Sequence, residues 1–300
     1  MADAKAIRSR DDFWMNVVVT IIGLLVVVVT LYPLIFVVSA SFSNPSRVIS
    51  GEVKLFPVEF SLQGYKTIFE YKLIWTGYRN TIFYTFFGTI FSLLLTIPAA
   101  FAMSRKDLVG RNIIMAYFAV TMFFSGGLIP TYLVIKRLGL VNTPWIMILM
   151  GAVSVWNLVI ARTFFQNNLP MELQEAAYID GSSTTRMFLT IALPLAKPII
   201  AVLALYCAVS QWNSYFNGLI YLNKTEYYPL QIFLRNILIL DQMEDMMGDP
   251  DSVESLLEKM RLKESMKFGI VVLSSLPVLI MYPFLQKYFV KGMMVGAIKG

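Results

Sequence analysis

The sequence predicts an all-α integral membrane protein with six transmembrane helices. Hydrophobic residues make up 57% of its 300 positions and charged residues only 15%. The mean hydropathy of +0.65 lies outside the range of soluble chains. Six runs free of Asp, Glu, Lys and Arg, each 19 to 34 residues long, together hold 152 residues. A helix needs roughly 20 apolar residues to cross the hydrocarbon core, so each run is long enough to span. Barrel strands would instead alternate over about ten residues.

The first predicted span, 14–40, follows Lys5, Arg8 and Arg10 and closes on Val38-Ser39-Ala40, which has the look of a cleavable signal. Its apolar stretch from Trp14 to Val38 contains Pro33 and exceeds the roughly 7–15 residues of a signal core, so an uncleaved first helix is expected. Span two, 80–104, carries Thr81, Thr85, Gly88, Ser92 and Thr96 at spacings of 4, 3, 4 and 4. Such a stripe on one face predicts close helix packing. Span three, 112–135, contains Ser125-Gly126-Gly127 and then Pro130. Either a short helix ends there, or it breaks where protein or a water-filled cavity satisfies the freed backbone groups. Span four covers 144–165 and includes Trp156-Asn157, span five 198–222 and span six 268–287.

An even number of spans places both termini on one side, with loops 104–111 and 162–197; loops 41–79, 136–143 and 221–267 lie opposite. Lys and Arg divide as 12 in about 72 residues on the terminal side and 13 in about 94 opposite, a weak positive-inside bias.

The composition also excludes chemistry. With no His, His-based triads and His metal sites are ruled out, and a single Cys rules out disulfides and paired-Cys clusters. No Gly-Lys dipeptide occurs, so there is no P-loop and no nucleotide cofactor is expected in this chain. The net charge of +6 is ascribed to loops facing anionic lipid rather than to nucleic acid.

Span five bears Tyr206, Ser210, Asn213 and Asn217 at spacings of 4, 3 and 4, hence on one helix face, interleaved with Trp212, Tyr215 and Phe216. Polar groups inside a bilayer need partners. Hydroxyl-binding amides beside aromatic rings suit a sugar, and Tyr206, Ser210, Trp212, Asn213 and Asn217 are the candidates for a substrate pathway, with Trp156-Asn157 of span four a weaker pair because Trp156 could equally fill a bundle core. The alternative is that the asparagines hold helices together, at about 1 kcal/mol each. Cys207, in mid-span, reads as a small buried hydrophobe.

Beyond span five, residues 241–264 hold eight carboxylates against three cations, and Asp249-Pro250-Asp251-Ser252 resembles a helix start. A helical insertion with a solvated acidic face is expected. EF-hand spacing is absent and no metal site is assigned.

Between spans four and five, residues 166–194 have a local logic of their own. Pro170 suits the start of a helix, Glu172 and Glu175 favour its N-terminal dipole, Ala176-Ala177 continue it, and Asp180-Gly181 stop it. Ser182 or Ser183 then caps a second helix that runs to Pro194.

At these residues the sequence resembles the membrane permeases of binding-protein-dependent ABC importers, whose hallmark is EAA, three residues, Gly, nine residues and I-x-L-P. Glu175-Ala176-Ala177, Gly181 and Ile191-x-Leu193-Pro194 match it throughout. Ile179-Asp180-Gly181-Ser182, Pro194-Leu195 with Pro198, and Trp212-Asn213 resemble the six-span carbohydrate (maltose-type) branch. Phe124 to Pro130, Tyr228-Pro229-Leu230-Gln231 and Lys287 to Gly292 resemble its LplC-like subgroup.

The resemblance implies a subunit that hydrolyses nothing itself, with ATP and Mg on partner subunits. Residues 166–194 would be a cytoplasmic coupling helix meeting an ATPase through Glu172, Glu175, Ala176, Ala177, Asp180 and Gly181. Both termini would then be cytoplasmic, in a bacterial cell membrane. The implied partners are a second homologous permease, two ATPase subunits and an extracytoplasmic sugar-binding protein, the last contacted at Asn223, Tyr227 and Tyr228. An ion-coupled secondary transporter with broken helices is the competing reading, since Ser125-Gly126-Gly127 alone would suit one. The runs contain no Asp, Glu, Lys or Arg to relay protons, although sodium sites made of backbone carbonyls would escape that test, and the lack of Asp or His within them argues against an aspartyl or His-dependent intramembrane protease.

Overall fold

A computed structural model describes residues 10–238 and 266–283. The acidic stretch 241–264, the remainder of span six beyond 283 and the motif at 287–292 lie outside the described residues. The helices, in chain order, are α1 (Arg10–Ser41), α2 (Pro45–Ile49), α3 (Gln63–Glu70), α4 (Lys72–Ser104), α5 (Arg111–Phe123), α6 (Leu128–Arg137), α7 (Trp145–Leu149) and α8 (Val155–Asn168). They continue as α9 (Met171–Ile179), α10 (Thr184–Met187), a π-helical turn (Phe188–Ala192), α11 (Leu193–Leu195), α12 (Lys197–Trp212), α13 (Phe216–Tyr221) and α14 (Leu230–Leu238). The last is α15 (Met266–Pro283). Among the described residues the only β pairing is one bridge, Ser43 to Phe60.

The chain divides into two compact units. The first contains residues 1–70 and 237–273. Here α1 is apolar on every side, and its residues from Phe13 to Val38 are largely exposed. A helix of this kind belongs in lipid or against another subunit. Its C-terminal end is pinned by serines: Ser39 Oγ donates to Leu55 O at 2.6 Å, and Tyr65 Oη donates to Ser41 Oγ at 2.8 Å.

The second unit contains residues 71–236 and 274–300. Its backbone is α4, packed on α12 and α8. The stripe explains the packing: Thr81, Thr85, Gly88, Ser92 and Thr96 are all buried, and small side chains let neighbouring helices approach. Towards the C-terminal end of α4, Ile97, Ala100, Phe101 and Met103 join Leu158, Ala161, Phe165, Ile199 and Leu203 in one core. A second core gathers Tyr84, Ile135, Ile146, Met147, Ile148, Tyr221 and Leu222.

Six continuous span-length helices are not what the described residues contain. Three helices are long and apolar enough to cross: Phe13–Ser41 within α1, α4, and α15. The third predicted span is instead α5 and α6, bent by 115° at a break where Gly127 takes φ +81°. The fourth is interrupted at 150–154, where Gly151 takes φ +77° before Ser154 Oγ caps α8 by accepting from Asn157 N at 3.3 Å.

The fifth also stops, at Trp212, and restarts at Phe216. Asn213 Nδ2 donates to Val209 O at 2.8 Å, so the side chain competes for a helical carbonyl where the helix ends. Thr184–Leu195 meets α12 at a 77° bend. The π turn widens the helix just before Pro194, which lacks an N–H to continue the regular ladder.

Candidate functional site

The two broken segments 150–154 and 213–215 border one cavity of about 340 Å³. Irregular backbone at membrane depth is tolerated where it lines such a space. From α4 come Gly88 and Ser92; from the α7–α8 break, Gly151 and Ser154; from α8, Trp156 and Asn157; from α12 and its break, Tyr206, Cys207, Ser210, Gln211 and Ser214; from α13, Asn217. The lining is rich in amides and hydroxyls and holds no charged residue. Cys207 is less inert than expected: its Sγ lies 3.2 Å from Ser92 Oγ and 3.6 Å from Asn157 Nδ2.

Of the sequence-chosen pathway residues, Tyr206, Ser210 and Asn217 line this cavity together. Trp212 and Asn213 are not part of its wall. Trp212 is buried, donating from Nε1 to Ser274 O at 3.0 Å and packing on Tyr78 with ring centroids 6.4 Å apart. Asn213 is exposed and bonded to its own helix. Sequence reasoning missed Gln211, Ser214 and Ser154. Its weaker pair, Trp156-Asn157, does reach the cavity, and Gly88 and Ser92 serve both packing and lining. A Cβ at position 88 would stand 2.7 Å from Gln211 Nε2, so a larger residue there has to displace the Gln211 side chain.

Residues 169–195 form a helix, a corner and a second helix. Pro170 precedes α9 as its N-cap rather than occupying its first turn. The corner is closed by Gly181 N to Tyr178 O and Ser182 N to Ala177 O, both 2.9 Å, with Gly181 at φ +72°. Of the two candidate serines, Ser183 caps the second helix, its Oγ accepting from Arg186 N at 3.2 Å. Glu172, Glu175, Ala176, Asp180 and Gly181 are exposed. Ala177 turns inward, into the core that α4, α8 and α12 share, since it stands one turn from Leu173. Ile179, part of the motif but not among the expected ATPase contacts, is an apolar residue 87% exposed beside the corner.

Arg105, the residue after α4, is in the sequence only the first charge beyond a charge-free run. It is 5% exposed. Its Nε donates to Asp107 Oδ1 at 2.9 Å, Nη2 donates to the Tyr178 hydroxyl, and its guanidinium lies 5.8 Å from the Phe101 ring centre and 5.4 Å from that of Tyr178. Hydrogen bonding from Arg105 holds the Asp107 carboxyl below the usual carboxylate range, and the same bond raises the arginine. A further cavity of about 440 Å³ separates this end of α4 from α8 and α9, with Glu175 and Tyr178 in its wall.

The segment 223–229 is fastened down. Asn80 Nδ2 donates to Glu226 O at 2.7 Å and to Tyr228 O at 3.0 Å, and Tyr84 Oη donates to Tyr227 O at 2.9 Å. Leu230 N donates to Thr81 Oγ1 at 2.8 Å, and Asn142 Oδ1 accepts from Asn223 N and Lys224 N, each at 3.0 Å. Asn223 to Glu226 are exposed, whereas Tyr227 and Tyr228 are half-buried. Their backbone carbonyls are already engaged with α4.

Comparison with known proteins gives this arrangement its context. Residues 74–295 match the family model described as binding-protein-dependent transport system inner membrane component. Protein LplC of Bacillus subtilis (strain 168) is 39% identical over 272 residues, covering 91% of this chain and 90% of that protein. The polygalacturonan/rhamnogalacturonan transport system permease protein YtcP of the same organism is 39% identical over 277 residues, covering 92% and 95%. A solved structure of a bacterial ABC transporter involved in the import of the acidic polysaccharide alginate contains a chain 34% identical to this one. That chain superposes with a TM-score of 0.84 over 94% of this chain and 98% of its own length. The all-helical fold is therefore a membrane permease fold, and the chain belongs to the family of inner-membrane components of binding-protein-dependent transport systems as the permease subunit of an ABC importer.

Proposed function

We propose that this permease forms, with a second homologous permease, the pathway for an oligosaccharide delivered by an extracytoplasmic binding protein. Two ATPase subunits carry ATP and Mg and dock on residues 166–194. The chain crosses the membrane six times, near 14–40, 80–104, 112–135, 144–165, 198–222 and 268–287, with the third to fifth crossings broken and both termini cytoplasmic. The observation that carries the sugar reading is the uncharged cavity lined by Ser92, Asn157, Ser210, Gln211 and Asn217 between two backbone breaks. Amides and hydroxyls replace the water around sugar hydroxyls, and Tyr206 and Trp156 offer ring faces to C–H surfaces. Without a cation in that wall, it engages hydroxyls, and any carboxylate on the sugar must be compensated elsewhere in the assembly.

Glu172, Glu175, Ala176, Asp180 and Gly181 present the exposed face for the ATPase, with Ala177 holding that face to the core. Asn223 leads the receptor-facing tip, and Tyr227 and Tyr228 support it from beneath. Proteoliposomes carrying the whole assembly test the reading. Uptake of a labelled neutral or acidic oligosaccharide is expected to need ATP and the loaded binding protein, and to survive collapse of ion gradients. Uptake driven by an ion gradient alone would sink it.

A further inference from the structure

We propose that Arg105 is a positioning residue for energy transfer: it clamps the coupling helix to α4, so that motion of α9 reaches the cavity wall through one continuous helix. The inference rests on the docking of an ATPase on α9 and adds the route by which that docking is felt inside the membrane.

The geometry is specific. Arg105 is the C-cap of α4, its backbone N–H donating to Ala102 O, but its side chain is directed away from the helix carbonyls. Its donors reach Asp107, the Tyr178 hydroxyl and, at 4.0 Å, the Met187 sulfur. Tyr178 sits on α9 one turn beyond Glu175, and its hydroxyl also lies 3.2 Å from Thr184 Oγ1, across the Gly181 corner. Both arms of the coupling element therefore converge on one guanidinium. A planar, permanently charged group stacked on Phe101 and Tyr178 while bonded to a carboxylate resists reorientation in a way that a lysine ammonium would not. Arg111 Nη1 donates to Arg105 O at 2.9 Å, holding the turn that carries it.

On the other side of the clamp, α4 continues through Pro98, which removes one hydrogen bond of the ladder without ending the helix, to Ser92 and Gly88 in the cavity wall, about 20 and 25 Å away at 1.5 Å per residue. Gly88 meets the Gln211 side chain there, so a small shift of α4 alters the contact between the two helices that line the path. A further polar tie to this end of α4, Arg162 Nε to Met103 O at 3.0 Å, comes from α8 and does not touch the coupling element.

The test uses the complete assembly with its partner permease and ATPases, a Cys207→Ser background and a single cysteine at Ser210 as reporter. A small methanethiosulfonate reagent measures that cysteine's labelling rate with and without ATP and vanadate. Trapped nucleotide is expected to change the rate in the unsubstituted assembly. Tyr178→Phe, which keeps the ring and removes the hydroxyl, and Arg105→Gln are expected to shrink that change about tenfold, the scale of one charge-assisted hydrogen bond, with vanadate-trapped nucleotide unchanged. Arg105→Lys should recover part of it.

A full labelling response in Tyr178→Phe and Arg105→Gln would overturn the proposal. So would loss of assembled complex in all three variants with a normal response in whatever assembles, because that is the mark of a purely structural residue. If the unsubstituted assembly itself showed no response to nucleotide, the coupling-loop reading would fail and the clamp with it, an outcome separate from failure of the variants alone.

Discussion

Replacing Gly181 by leucine separates damage to the fold from damage to docking. At φ +72° a side chain with a Cβ is strained by about 1–2 kcal/mol, yet a Cβ there meets nothing within 4 Å. The cost is therefore conformational and, though larger than that of an ordinary surface substitution at about 0.5 kcal/mol, too small to unfold the helices around it. The two bonds that close the corner, Gly181 N to Tyr178 O and Ser182 N to Ala177 O, run between backbone groups that any residue at 181 other than proline retains. What leucine adds is bulk beside Ile179 and Asp180, on the face proposed to meet the ATPase. Asparagine, which tolerates the left-handed region, is the control. With purified assemblies, Gly181→Leu should reduce ATP hydrolysis stimulated by the loaded binding protein about tenfold, equivalent to losing roughly 1.4 kcal/mol of coupling, at normal permease yield. Gly181→Asn should stay within about twofold of the parent on the same scale. Normal stimulated hydrolysis in the leucine variant, or equal loss in both, would refute the assignment of this corner as the docking element.

Cysteines placed singly at Ser183 and Glu226, after Cys207→Ser, should label from opposite faces of sealed vesicles, Ser183 from the cytoplasmic one; labelling from a single face would contradict the six-crossing arrangement. Asn217→Leu should cut uptake severalfold, because Asn217 lines the cavity, whereas Asn213→Leu should cost little; the reverse order in a transport assay would mean that the cavity is not the path. Asn80→Leu strips the partners from two carbonyls, at about 1–3 kcal/mol for each one kept from water, and should raise the rate of limited proteolysis between 223 and 229. An unchanged cleavage pattern would show that α4 does not hold that segment. Because the Asp107 carboxyl is held below its ordinary value, its ionised form favours the folded clamp above pH about 4, and that contribution fades as pH falls further. Asp107→Asn should remove the dependence, and thermal denaturation of the assembly between pH about 6 and 3 reads it out.

Membrane residence, the number of apolar runs and the helix, corner and helix of 169–195 were all legible in the sequence, because each depends on residues close together in the chain. Runs of apolar residues seek lipid whatever their neighbours, Gly181 enters the left-handed region because it lacks a Cβ, and Ser183 caps the helix that it directly precedes. The buried face of α4 was legible too, since a spacing of 4, 3, 4 and 4 stays on one side of a helix. The polar stripe of span five was only half readable, for its spacing assumes one continuous helix. That helix ends at Trp212, so Asn217 reaches the cavity from α13 while Trp212 packs against Ser274 and Tyr78. Gly127 and Gly151 permit breaks, but only packed neighbours decide whether a permitted break is taken. Arg105 shows the same limit most clearly. In the sequence it is the first charge after an apolar run, and its partner Tyr178 stands 73 positions away. Only folding brings the two together, because the energy that binds them lies in a contact between distant segments and leaves no periodic trace in either.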